Sequence, residues 1–347
     1  MSGDVFDGDR ALADLARFGE HGELRTGSRA AGKARSQIRR AMKHAGYEAR
    51  DVETDIVAPG ENGELKTHTA THVLARRKGA SSDVILLVAP YDAMPGAHPS
   101  DVAATGASVL LEIARLDQQT REAVGPQHFT LLMAFVDGNG LGRSAIDATP
   151  AERFPGSDAF GRWFIGRTSN VNVRLVVWID RVGRAQVEVA RDLHSSRAYR
   201  ETFFEVGEER GLQPAFIAAR PLSAPGGGQE ALQALGFEPL VALVGETPTD
   251  DVSAPAIGTA GAPLSGSPRS LAAVGEATWV GIARIGDRLA RIDAFREDPL
   301  VGSPGVLELP GAEEAPAPEA DAEDAIENGS RADDGASSQS RPPAAPR

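Results

Sequence analysis

"VILLVAPYDAMPGAHPSDVAATGASVLLEIARL", Val84 to Leu116, decides how the chain folds. It opens with a continuous apolar run, passes through a Pro/Gly loop carrying two aspartates, and ends in a helical pattern. An uninterrupted Val/Leu/Ile run of this length reads as a strand buried on both faces, the kind found in parallel sheets. Three later runs share the character: "FTLLMAFVDG", "VRLVVWID" and "FEPLVALVG". Helical patterns lie between them. "ASVLLEIARL" follows the first strand, "RAYRETFFEVGEERG" follows the third, and "GGGQEALQALG" precedes the fourth. The alternation predicts an α/β fold, a three-layer sandwich whose mostly parallel central sheet is flanked by helices. "SLAAVGEATWVGIARIGDRLARI" supplies a last covering helix.

Upstream, Ser28 is placed to cap a helix in which Ala31, Ala34, Ile38, Met42 and Ala45 recur at helical spacing, closed by Gly46. The opposite face carries Arg35, Arg39, Arg40 and Lys43, a pattern that most often marks a solvated helix face. His68 and His72 in "HTATH" have the i, i+4 spacing of zinc ligands on a helix, but the Thr content and the following "VLARR" read as a strand. In a strand the two imidazoles stand about 13 Å apart, too far to share an ion, so both read as structural.

The chain has 347 residues, 41% hydrophobic and 24% charged, and no cysteine. Disulfides, thiolate metal sites and thiol nucleophiles are thereby excluded. Formal net charge is −13, of which the segment after Val301 contributes −7 through ten Asp/Glu and three Arg. That acidity argues against a nucleic-acid partner. The acidic opening "MSGDVFDGDR" does not resemble a signal peptide, and no stretch reaches membrane-spanning length, so a cytoplasmic protein with no membrane association is expected. Composition divides the chain into one α/β domain, residues 1–297, and a Pro-, Ala- and acid-rich tail, residues 298–347, expected to be disordered.

Open α/β sheets build their sites outside the carboxyl ends of the strands. Asp92, Asp101, Asp137, Asp180 and Glu246 all fall there. Other chemistries find no support: "VDGNGLGRS" lacks the GK[ST] of a phosphate loop, and neither a G-x-S-x-G elbow nor an H-E-x-x-H helix occurs.

From about Leu12 to about Leu289 the order of motifs resembles the zinc exopeptidase family that includes bacterial aminopeptidases, glutamate carboxypeptidase and the glutaminyl cyclases. "RTGSRAAGKARSQIRRAMKHAGYEARDVE", "APYDAMPGAHPSDVAATGASVLLEIARL", "FVDGNG", "PGSDAF", "WIDRVG" and "GFEPLVALVGETPTDD" carry the resemblance. It implies one or two zinc ions held by His and carboxylates, with a Glu as general base on a metal-bound water. Residue by residue the pattern departs. Pro90 replaces the histidine of "HYD", ahead of Asp92; Asn139 and Gly140 replace the two glutamates of "FDGEE"; and Glu246 takes the place of the later histidine. The bridging aspartate, Asp101, and the aspartate of "WID", Asp180, are retained, and they are the vestigial metal positions the resemblance implies. Loss of a general base alone lowers rates by about 10² to 10⁴. The expectation is therefore a pseudoenzyme without a cofactor, acting as a binding or structural module for a protein or peptide partner. The alternative is an active metallo-hydrolase or cyclase with one divalent metal ion rebuilt around Asp101 and Asp180. His98 is a possible added ligand, and a trio of Asp101, Asp180 and Glu246 would suit Mg²⁺, Mn²⁺ or Ca²⁺.

Overall fold

The computed structural model describes residues 6–59, 64–92, 104–143, 147–168, 171–246 and 266–297. The chain partitions into a unit spanning Met1–Asp298 and a second spanning Pro299–Arg347. Every described residue belongs to the first, and the expected tail lies outside the described residues.

Eight helices and nine strands follow in chain order among the described residues: α1 (Gly8–Glu20), α2 (Arg29–His44), β1 (Glu48–Pro59), β2 (Leu65–Arg77), β3 (Val84–Pro90), α3 (Ala104–Val124), β4 (Thr130–Val136), α4 (Pro150–Arg153), α5 (Pro155–Arg167), β5 (Val173–Asp180), β6 (Glu188–Val189), β7 (Arg191–Asp192), α6 (Arg197–Glu209), β8 (Leu222–Ser223), α7 (Gln229–Ala234), β9 (Leu240–Glu246) and α8 (Pro268–Glu297). Ser28 caps α2 as expected, its hydroxyl accepting the Ala31 N–H at 3.0 Å. Gly46, at φ +80°, ends the same helix.

The main sheet runs β1-β2-β4-β3-β5-β9-β6. Its centre, β4-β3-β5-β9, is parallel throughout. Antiparallel pairs extend it on both sides, through the β1–β2 hairpin and through β6. The sheet is therefore mixed: the continuous apolar runs account for its parallel centre, and the half-exposed strands around it pair the other way. Period-2 alternation divides the core. Ile85, Leu87, Met133, Phe135, Val177 and Leu243 pack under α1, α2, α3, α6 and α8. Leu86, Val88, Ala134, Val136, Val176, Trp178 and Val244 face α5 and α7, with Phe160, Phe164 and Leu232 closing that layer. The three layers expected from the sequence are thus present.

β1 forms the outer rim on one side. Val52, Ile56 and Ala58 are buried on one face of it, while Asp51, Glu53 and Asp55 are exposed on the other. From β3 the chain runs to β4 on one flank and then returns to β5 on the other. The carboxyl ends of β3 and β5 therefore lie at a topological switch point, where such sheets leave a crevice.

Candidate functional site

Three aspartates end the parallel strands and all are buried: Asp92 just after β3, Asp137 just after β4 and Asp180 closing β5. Asp137 is tied down most completely. Thr26 Oγ1 donates to its Oδ1 at 2.9 Å and the Thr71 N–H donates to its Oδ2 at 2.9 Å. Its own N–H donates to His72 Nδ1 at 3.1 Å. That bond requires Nδ1 to be unprotonated, so Nε2 carries the hydrogen and donates to Thr54 Oγ1 at 2.8 Å. Burial holds His72 neutral and pushes its pKa down to about 3. The imidazole is a structural pillar between β1, β2 and β4. Both histidines of "HTATH" lie in β2, and His72 spends both ring nitrogens on protein partners.

Asp92 has a different environment. The Gly140 N–H donates to its Oδ2 at 2.6 Å, and Oδ1 is buried without a hydrogen-bond partner among the described residues. Burial and then the nearby Asp137 charge push its pKa up to about 8, against the pull of the surrounding backbone amides. Asp92 is therefore largely protonated at neutral pH. Tyr91, between them in the network, donates to the Thr71 carbonyl at 2.6 Å. Burial, ahead of the Asp137 charge, raises its pKa well above the ordinary value, while Arg35 of α2 acts in the other direction. Burial also raises Asp180, to about 6, with only Arg181 in opposition. Asp180 Oδ1 has no partner among the described residues.

The remaining positions that the motif resemblance marks make structural contacts. Pro90 pairs with Val136 in the sheet and has no donor atom on its side chain. Asn139 opens a single 3-10 turn behind Gly138, whose φ of +96° favours glycine and where an added Cβ would push the Ile56 side chain aside. From there the Asn139 carboxamide accepts the Ser157 N–H at 2.8 Å, serving the first turn of α5 from outside the helix. Gly140 contributes only its amide to Asp92. Glu246 is held by Arg220, Nη2 to Oε2 at 2.7 Å, and by Ser223 Oγ donating to Oε1 at 2.6 Å. Both its oxygens are engaged. Asp101 and His98 lie outside the described residues, so the all-oxygen trio is defined by the structure only at Asp180 and Glu246.

Among the described residues no three His, Asp or Glu side chains come together as a metal-holding group. The donor set itself explains this. At the positions the motif resemblance marks, Pro90 and Gly140 have no donor side chain, and the Asn139 carboxamide oxygen is taken by the Ser157 N–H. The described residues at these positions do not supply the His and carboxylate donors of a zinc centre. The Thr26, Arg35, Tyr91 and His72 surroundings of Asp137 were not foreseen from sequence; Thr26 falls within the quoted "RTGS" turn, but nothing local links it to a residue 111 positions on.

The same arrangement of layers and strands occurs in solved structures. The chain superposes on a leucine aminopeptidase precursor from Bacteroides thetaiotaomicron with a TM-score of 0.68 at 18% identity, covering 80% of this chain and 97% of that one. For the Tannerella forsythia glutaminyl cyclase the values are 0.67, 19%, 80% and 99%. For a Zn-dependent exopeptidase from Parabacteroides distasonis they are 0.65, 16%, 80% and 98%. No protein-family model matches the sequence, and no curated protein matches it. The α/β fold is that of the zinc exopeptidase and glutaminyl cyclase structures, as the motif order implied. No helix among the described residues is long and apolar enough to cross a membrane.

Proposed function

We propose that this chain is a pseudoenzyme on the zinc exopeptidase fold, a binding or structural module that has lost zinc-dependent peptidase chemistry. The observation that supports this most strongly is the fate of the general-base position. Asn139 cannot take a proton from water at neutral pH, and its oxygen is already committed to the Ser157 N–H. A second reading, a rebuilt site around Asp101 and Asp180, draws its support from the buried, unpartnered Asp180 Oδ1. Metal content of the purified protein, by mass spectrometry on wild type and on Asp101→Ala and Asp180→Asn, tests the two. The pseudoenzyme is expected to carry no stoichiometric metal and to release nothing from aminoacyl or N-terminal glutaminyl peptides. Stoichiometric metal lost in both variants, with turnover lost alongside it, would establish the rebuilt site instead.

A further inference from the structure

At the opposite ends of the strands from the three aspartates, a groove of about 380 Å³ is lined by Lys43, Tyr47, Arg50, Leu74, Arg76 and Leu132, and by one acid, Glu48, against three cations. Three elements bring the cations together: Lys43 from the last turn of α2, Arg50 from β1 and Arg76 from β2. All three are exposed. None has an ion-pair partner among the described residues, although Glu48 stands directly across the ladder from Arg76. The contrast with their neighbours is sharp. Arg39 pairs with Asp51 at 3.2 Å, and Arg77 turns inward to the Ala45 carbonyl at 2.5 Å and to Asp117. Arg50 is braced by the Trp163 ring, 5.8 Å from guanidinium carbon to centroid. The floor between the cations is apolar.

From this placement we infer that the groove is a docking site for an extended acidic peptide segment of a partner protein. Arg50 and Arg76 are diagonal neighbours on one face of the β1–β2 ladder, because Arg50 pairs with Leu74 and Arg76 with Glu48. Such diagonals span about 7 to 8 Å. Alternate side chains of an extended peptide stand about 6.6 Å apart on one side, so carboxylates two residues apart match the two guanidiniums. The local positive charge persists on a chain of net charge −13, which sets this face apart from the molecule's general repulsion of anions.

The test is fluorescence anisotropy on the full chain with a labelled peptide of alternating glutamate and leucine, and with its lysine–leucine counterpart. The acidic peptide is expected to bind, to weaken as salt rises, and to lose about tenfold or more in affinity in Arg50→Glu/Arg76→Glu. An Arg288→Glu/Arg291→Glu variant on α8 changes net charge equally and is expected to bind as wild type does. Both pairs are exposed, and thermal melts check that each variant is folded. Absence of binding, equal binding of the two peptides, or equal loss in the α8 variant overturns the inference. Displacement of the peptide by inorganic phosphate at matched concentration overturns it in favour of a single-anion site.

Discussion

Asn139 is a side chain that serves construction in this fold. Its carboxamide serves the buried start of α5, so Asn139→Ala is expected to lower stability by about 1 to 2 kcal/mol in urea unfolding, through an unsatisfied amide. On the proposed pseudoenzyme reading, Asn139→Glu is expected to bring no peptidase turnover, because Pro90 and Gly140 offer no donor side chain beside it. Asp92 and His72 predict a pH profile. Folded Asp92 keeps its proton up to about 8 against an ordinary 3.8, so its contribution is fully present below about 4 and is lost as pH rises to 8. Folded His72 stays neutral down to about 3 against 6.5, so stability falls as pH drops from 6.5 toward 3. Between about 4 and 6.5 the His72 effect opposes those of Asp92 and of Asp180, which is raised to about 6, and flattens the curve. Urea midpoints measured across this range are expected to lose their alkaline decline in Asp92→Asn.

The α3 and α8 helices show opposite uses of glycine. Gly106 packs α3 directly on the β5 backbone, where an added Cβ would overlap the Ile179 carbonyl. Gly106→Ala is expected to destabilise by several kcal/mol. Gly286, inside α8, is buried, and an added Cβ would rest in ordinary van der Waals contact with Phe129 at 3.5 Å and Ile85 at 3.9 Å. Gly286→Ala is expected to stabilise by about 0.5 to 1 kcal/mol, from helix propensity and a filled gap. Thermal melts of the two variants distinguish these directions. What the sequence made legible follows the same logic. β3, β4, β5 and β9 are doubly buried and read as unbroken apolar runs, whereas β1 hides its alternation among acids, and α5 is interrupted by Gly156, Gly161 and Gly166. At the site, Asp92 and Asp180 could be placed at strand ends from sequence. The grip of Arg220 on Glu246 and of Asn139 on Ser157 could not, because those partners meet only through the fold.

At the scale of the molecule, the two halves of the core share every strand of the parallel centre, so neither face can melt and leave the other intact. The chain has three tryptophans. With Trp279→Phe, emission comes from Trp163 and Trp178 on the α5/α7 face, while far-UV circular dichroism weights the longer helices opposite. The two urea transitions are expected to coincide; an earlier fluorescence change would mean that the faces unfold separately. One consequence concerns molecules meeting each other. The twelve-residue rim of β1 is a template on which a second chain could add a strand, and Asp51, Glu53 and Asp55 stand along it as like charges against any copy in register. Replacing those gatekeepers, as in Asp51→Asn/Glu53→Gln/Asp55→Asn, removes the repulsion while the peptide groups of the rim remain. The triple variant is therefore expected to nucleate fibrils at that strand edge before its core melts, and light scattering against wild type at equal concentration checks it.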